Sequence, residues 1–366
     1  MIHESLLTQG WEDFVGRLGG EHALRTSAKD TKAFLRPRGI RSPLDMLRMI
    51  LAYCLGDCGL RTTSSWAASI GLADVANTAL LYRLRQSEKW LRTLVEQALT
   101  NITPRLNGGR LIRIVDGTSV PQAGTAAKTT NKLWRIHSAF SLPAERFDYF
   151  ELTDESAGET LDRIPVIRGE IRVGDRAFAQ PDRMAAVIEA GADIVVRAGW
   201  RKLRWLEVGG EPLDFLGELE RGAAEGLIDR PVWIGRKNGL ALRLRLIAVK
   251  KPPEAAEASR RKARRDAQRE GYTVSQGTLV SADWVILVTS LSREAYPAAD
   301  VLALYRLRWR IELAFKRLKS IIGLKAPPGI DERSAKPYVL AHLLILLILE
   351  PLVREFEVSP RLVAAA

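Results

Sequence analysis

The chain has 366 residues, 46% of them hydrophobic and 27% charged, a balance that excludes wholesale disorder at a length that predicts two or three domains. Lys and Arg total 55 against 43 acids, for a net charge of +12, and such an excess favours a polyanionic partner because each neutralised phosphate releases a condensed counterion. Two cysteines, Cys54 and Cys58, are too few for a disulfide framework or a cysteine metal site, and their apolar setting predicts buried thiols in a reducing compartment.

The first residues, MIHESLLTQGWEDF, lack the basic, apolar and small-residue order of a secretory signal. Residues 1–105 read as helical. In SPLDMLRMILAYCLG (42–56) apolar residues recur at helical spacing, with Ser42 as N-cap and Pro43 in the first turn. A short helix around Ser65–Ile70 is expected to stop at Gly71, and a second to begin near Asn77. Two helices joined by such a turn resemble a helix-turn-helix, which would put Arg83 and Arg85 on or near a groove-facing helix. A plain helical bundle satisfies the same pattern.

The texture changes after Leu106-Asn107-Gly108-Gly109. LIRIVDG (111–117) predicts an apolar strand ending at Asp116, and LWRIHSAFSL (133–142) and RFDYFELTD (146–154) predict two more strands that pair with each other. A helix is expected from Glu159, then a strand EIRVGD (170–175) ending at Asp175, a helix over 182–190 and a strand DIVVRA (193–198). This alternation is that of a mixed α/β unit. From about 200 to 283 short strands dominate, in WLEV, PVWIG and ALRLRLIAV. They are joined by a basic helical piece, SRRKARRDAQREG (259–271), with six Arg or Lys against two acids. DWVILVTSL (283–291) returns to the buried-strand pattern, and a long helix begins near Pro297. The apolar run Tyr338–Val353, interrupted by His342, Glu350 and Pro351, is short for a membrane span and reads as a buried C-terminal helix of a cytoplasmic protein.

Asp116 and Asp175 share a position, each closing an apolar strand and opening a loop. A carboxylate there projects at the carboxyl edge of a sheet, where α/β proteins place ligand sites, although singly each is more commonly a cap or turn residue. A third carboxylate lies on YRLRWRIELAFKRLKS (305–320). At 3.6 residues per turn Tyr305, Arg308, Glu312 and Lys319 fall within roughly 60° of one another, beside a core-facing arc of Leu307, Ile311, Phe315 and Leu318. An exposed Arg308–Glu312 pair is worth only a few tenths of a kcal/mol and leaves the tyrosine and lysine on the same stripe unexplained.

The spacing Tyr305, two residues, Arg308, three residues, Glu312, six residues, Lys319 resembles the Tyr-Arg-Glu-Lys signature of insertion-sequence DDE transposases, in the branch named after insertion sequence four. Trp309-Arg310-Ile311-Glu312 looks like that branch as well. IVDGTSV and VGDRAF resemble its two aspartate motifs, and DWVILVTS its strand before the final helix. The resemblance implies a multidomain α/β protein with a ribonuclease H-like mixed-sheet core split by a mostly β insertion and preceded by an all-helical domain. Its parts would be a helical DNA-binding domain (1–105), the first part of the core (106–200), the insertion with its basic arm (201–283), the second part of the core (284–330) and a C-terminal helical segment (331–366).

The same resemblance implies a DNA transposase performing cut-and-paste transposition at terminal inverted repeats, working in the bacterial cytoplasm at the nucleoid, with no membrane association. Asp116, Asp175 and Glu312 would hold two Mg2+ ions, for which Mn2+ can substitute. Magnesium takes oxygen ligands, and a pair of ions can clamp a scissile phosphate, so no His or Cys nucleophile is needed. Element ends and target DNA would be the partners, with a homodimer in the synaptic complex. Tyr305, Arg308 and Lys319 would contact phosphates near the cut end. Trp284 would receive a flipped base if excision runs through a hairpin, or equally anchor its strand in the core. Arg176 would approach DNA or the metal-bound phosphate, or else pair with Glu170 or another local acid. Arg261, Arg264 and Arg265 of the basic arm would follow the DNA backbone. His137 reads as a hydrogen-bonded strand histidine, since two-metal chemistry does not require it. Two rivals share these residues: a nuclease with the same core but no strand transfer, and a non-catalytic DNA-binding descendant of a transposase.

Overall fold

The apolar stretch at 42–56 forms a helix buried on nearly every side, which only neighbouring helices can accommodate. In the computed structural model, which describes residues 7, 10–56, 58–100, 109–121, 133–142, 144–154, 156–320, 322–328 and 331–357, this helix is α3 (Pro43–Leu55), preceded by α1 (Trp11–Arg17) and α2 (Gly20–Asp30). The Ser42 hydroxyl caps it, accepting from the Asp45 amide at 3.1 Å. Met46, Leu47, Met49, Ile50 and Leu51 are fully buried. α4 (Leu60–Ser69), α5 (Asn77–Gln86) and α6 (Glu88–Thr100) complete the helical layer. α4 starts earlier than the sequence suggests but ends as expected at Gly71, whose φ of +65° is the left-handed geometry that glycine favours. Of the two cysteines, Cys54 is buried but Cys58 is exposed, because it lies just past the end of α3, in the turn before α4. The expected boundary at Leu106–Gly108 falls outside the described residues.

Beyond it the chain builds one mixed sheet of nine strands: β1 (Ile112–Pro121), β2 (Leu133–Leu142), β3 (Arg146–Asp154), β4 (Ile171–Gly174), β5 (Asp193–Arg197), β6 (Arg204–Leu206), β7 (Leu227–Gly235), β8 (Leu242–Lys250) and β9 (Trp284–Thr289). Their order across the sheet is β3-β2-β1-β4-β5-β9-β8-β7-β6. β1, β4 and β5 are parallel, and every other neighbouring pair is antiparallel. The β-rich stretch after residue 200 therefore continues the same sheet through β9. β1 does not end at Asp116, as the sequence suggested. It runs on to Pro121 against β2, with Asp116 opposite Ser138, while its pairing with β4 stops at Ile114–Val173. The other expected strands and the helix α7 (Pro181–Glu189) lie close to their predicted places.

Alternate residues of the strands feed two apolar clusters, one on each face. Ile114, Val173, Val195, Ile247 and Leu287 pack with the N-terminal helices, α12 (Trp309–Ser320) and α13 (Glu332–Glu357). Val115, Val196, Leu246 and Val288 face the other way, with α7 and α8 (Phe215–Arg221). α9 (Pro253–Arg269) and α10 (Gln276–Ala282) connect β8 to β9, and α11 (Ala298–Arg306) leads into α12.

Two expectations fail for identifiable reasons. The segment after Glu159 is irregular, not helical. The buried guanidinium of Arg172 takes the carbonyls of Leu161, Ile164 and Pro165, and Arg113 also bonds Pro165, so these oxygens serve side chains in place of a helical ladder. Both arginines are neutralised by Glu170, itself fully buried, and Arg113 also by Asp148. The helix expected to run through 305–320 is interrupted between α11 and α12. There Leu307, Arg308, Arg310 and Ile311 each donate to the residue three positions earlier, which overwinds the chain locally. The long helix α13 is apolar and buried through Ile348, and among the described residues no helix is long and apolar enough to cross a membrane.

Candidate active site

The parallel pairing of β1 with β4 is what brings two carboxylates together. Asp116 follows the last paired residue of β1 by two positions, and Asp175 follows that of β4 by two, so they emerge side by side on one face. Each uses one oxygen to fix its own turn: Asp116 Oδ1 accepts from the Gly117 amide at 2.8 Å, and Asp175 Oδ1 from the Ala177 amide at 2.7 Å. Burial is the main reason that the Asp116 carboxyl is pushed up to about 7. Repulsion from Asp175 and Glu159 adds to this, while the Gly117 amide and Arg308 oppose it.

The overwound turn between α11 and α12 lays Arg308 across the mouth of this site. Its guanidinium is 3.6 Å from Asp116 Oδ2 and donates to Glu312 Oε1 one turn further on. Arg308 and Asp116 are mostly covered, at 21% and 17% side-chain exposure, whereas Glu312 is 56% exposed. Glu312 is thus joined to the aspartates through the arginine. The packing of Ile311, Phe315 and Leu318 into the core holds α12 over the end of β1, as the apolar arc in the sequence predicts. Tyr305 lies between Arg308 and Arg176, close enough to influence both electrostatically. Lys319 is exposed about two turns beyond Glu312, roughly 10 Å along the axis.

Hard carboxylate oxygens just past the β1–β4 pairing, one of them buried and also repelled by its neighbours, are the donor chemistry that suits a divalent cation. Among the described residues, no three ligating side chains already converge on one metal-sized point; Arg308 lies where Glu312 and Asp116 would otherwise face each other. The donor set fits such an ion once Glu312 exchanges its arginine partner for it.

The remaining candidates are scattered. Arg176 is adjacent to Asp175 and lies over Gly199, whose missing Cβ would stand 3.3 Å from Arg176 Cδ. It does not pair with Glu170, which is committed to Arg172 and Arg113. Trp284 is only 4% exposed and packs in the core below β9; this buried position makes it a strand anchor and offers no open ring face for a base. Arg83 stacks on Phe34 and donates to the Arg36 carbonyl. Arg85 is turned toward the start of α13, paired with Asp331 at 2.7 Å, so the helix-turn-helix geometry leaves it occupied. Arg261, Arg264 and Arg265 are exposed along α9. His137 points to the face opposite Asp116, bonded to Thr153 at 2.9 Å; burial and nearby arginines lower its pKa to about 4.

One acid escaped the sequence reading. Glu159 reaches over Gly117 so closely that a Cβ there would stand 2.3 Å from its Oε1. Burial raises its pKa, with Arg135 opposing and Asp175 adding. No periodicity marks it, and its trace in the sequence is the glycine after Asp116, which needs to be small to admit it.

The family described as Transposase DDE domain matches residues 107–348. The putative transposase InsL for insertion sequence element IS186A of Escherichia coli strain K12 is 36% identical over 361 residues, 96% of both chains. The transposase for insertion sequence element IS421 of Escherichia coli is 36% identical over 362 residues, again 96% of both. Together with the neighbouring Asp116 and Asp175 and the Tyr305–Arg308–Glu312–Lys319 spacing, these matches show that the chain belongs to the DDE transposases of insertion sequences, in the branch named after insertion sequence four.

Proposed function

We propose that this DNA transposase moves its element by cut-and-paste chemistry at the terminal inverted repeats, with Asp116, Asp175 and Glu312 as ligands of two Mg2+ ions. Divalent-metal dependence follows from the family; the choice and number of ions rest on the oxygen-only donor set. The observation that carries the reading is the convergence of Asp116 and Asp175, each two residues past the β1–β4 pairing, with Glu312 one arginine away. Bound between these carboxylates, the ions would activate water or a 3′-hydroxyl and stabilise the leaving oxygen. The chain's own residues do the positioning. Asp116 and Asp175 are held by the backbone amides that cap them. Arg308 stands beside Asp116, with Tyr305 close enough to act on it, and there a guanidinium can exchange carboxylates for a phosphate as a DNA end arrives.

The strand order β3-β2-β1-β4-β5, with β1, β4 and β5 parallel, supports a ribonuclease H-like core split by the stretch 201–283 and preceded by helical DNA-binding residues 1–105. Arg261, Arg264 and Arg265 on the exposed side of α9 suit a path for the DNA backbone, and a homodimer on paired ends, in the cytoplasm at the nucleoid, completes the reading.

The test is cleavage of a duplex carrying the element's terminal sequence, with Mg2+ and after chelation, comparing the native chain with Glu312→Gln. Cutting at the element boundary by the native chain alone, lost on chelation, is expected. Equal cutting by both proteins would make Glu312 structural. Cutting without joining to target DNA would replace transposition by simple nuclease action.

A further inference from the structure

Most buried or half-buried arginines of this protein are neutralised: Arg113 by Asp148 and Glu170, Arg172 by Glu170, Arg230 by Glu207 and Glu218, Arg245 by Asp229, and Arg260 by Glu257 and Asp283. Arg48 and Arg83 instead find carbonyl and ring partners, and one cluster departs further. Arg197 closes β5, and its Nε is fully buried with no hydrogen-bond partner. Arg176 and Arg197 form no salt bridge to a carboxylate among the described residues. Lys251, directly after β8, donates to Ser259 Oγ at 2.8 Å and to the Ala282 carbonyl at 2.5 Å, both neutral acceptors.

Topology gathers these three cations. β5 and β8 are both antiparallel to β9, so they run in the same direction and end at one edge, the edge where β4 delivers Asp175 and Arg176. β4 and β5 are neighbours, and β8 lies two strands from β5, across β9; at about 4.8 Å per strand that is about 10 Å, a gap that long side chains reaching from both sides can close. They do: burial, with repulsion from Arg197 and Arg176 and against the pull of Asp283, lowers the Lys251 pKa to about 8, and Arg176 is likewise lowered by burial and by repulsion from Arg197. The acids nearest this cluster are Asp283, already paired with Arg260, and the candidate ligand Asp175; half-buried like charges so weakly offset are costly to the free protein, and an orphaned buried donor points to a missing acceptor. Gly199 keeps the space beside Arg176 open, since a side chain there would press on its Cδ.

We infer that Arg176, Arg197 and Lys251 form a binding pocket for one DNA backbone phosphate, next along the strand from the phosphate cleaved at Asp116 and Asp175. This inference rests on the transposase reading of the carboxylate site. Arg176 directly follows Asp175 and Arg197 closes the neighbouring strand, with Tyr305 near enough to act on both Arg176 and Arg308, so a strand held at the carboxylates can run onto this cluster. A phosphodiester is the matching ligand: it brings the absent negative charge and several acceptor oxygens, and Arg offers it a planar fork. Beyond the pocket, Ser259, the contact of Lys251, lies on α9 itself, and α9 also carries Arg261, Arg264 and Arg265, so the pocket joins the catalytic edge to the basic arm.

The test uses a duplex with the element's terminal sequence in which single phosphates along the cleaved strand are replaced, one at a time, by neutral methylphosphonates. For the native chain, binding should weaken at several positions. In Arg197→Gln/Lys251→Gln the sensitivity at one of them, adjacent to the scissile phosphate, should vanish while the others remain. The slope of log affinity against log salt should also fall by about 0.9, the value for one phosphate contact. Lys251→Gln alone and Arg197→Lys serve as milder variants, with melting temperature as the control for folding. Arg197→Lys should keep the sensitivity. An identical methylphosphonate profile in the folded double variant and the native chain would overturn the pocket. Failure of the native chain to bind or cut the terminal duplex at all would instead overturn the reading of the carboxylate site.

Discussion

Asp116→Asn should abolish cleavage and at the same time make the metal-free protein more stable. The Asp116 carboxyl titrates near 7 in the folded chain against an ordinary 3.8, mainly because burial disfavours its charge. A carboxyl whose folded pKa is raised binds its proton more tightly folded than unfolded, so folding stability falls as pH climbs from the unfolded value through the folded one. A shift of about three units corresponds to about 4 kcal/mol lost by pH 8 and about 2 kcal/mol by pH 5. Asparagine fills the same volume, keeps an oxygen for the Gly117 amide and carries no charge, so most of that penalty disappears. Taking roughly 2 cal/mol/K of unfolding entropy per residue, 4 kcal/mol corresponds to about 5 °C in melting temperature at pH 8 if the chain unfolds as one unit. Loss of the Arg308 contact subtracts from this. The assay is thermal unfolding of both proteins in chelator at pH 5 and pH 8, repeated with Mg2+. The advantage of the variant should shrink at the lower pH, and Mg2+ should raise only the native midpoint. A variant no more stable than the native chain at pH 8, or an advantage independent of pH, would refute the reasoning.

Arg308→Ala removes the cation now bridging Asp116 and Glu312. Without DNA its Mn2+ affinity, measured by titration calorimetry, should rise several-fold, while end cleavage falls; unchanged affinity would mean that the bridge does not compete with the ion. Glu170→Ala strands the buried guanidinium of Arg172 and leaves Arg113 to Asp148 alone; it should cost about 3–5 kcal/mol, read as a large drop in denaturation midpoint or loss of soluble protein. Trp284→Ala should behave as a core truncation, destabilising by about 3–5 kcal/mol. A variant with native stability but a selective block in end opening would restore its role as a base acceptor.

The sequence by itself determined the features that depend on short range. Alternation and capping marked most strands and helices, including the Ser42 cap and the Gly71 stop, because these depend on neighbours within a turn or two. The Tyr305–Arg308–Glu312–Lys319 spacing and the paired Asp motifs were legible because family membership is written in local letters. The tertiary structure decided what depends on distant partners. Only the β1–β4 register sets Asp116 beside Asp175. Only the buried Arg113–Glu170–Arg172 network explains why the chain after Glu159 forgoes a helix, since residues far apart in the sequence supply its donors. The overwound turn at Leu307–Arg308 puts an arginine between the carboxylates, which uniform helical spacing could not reveal. Trp284 and Arg85 look like DNA ligands as letters, but burial and an ion pair with Asp331 occupy them. Nothing in the local sequence marks Arg197 or Lys251, and strands that run in one direction and end at one edge are what bring them toward Arg176.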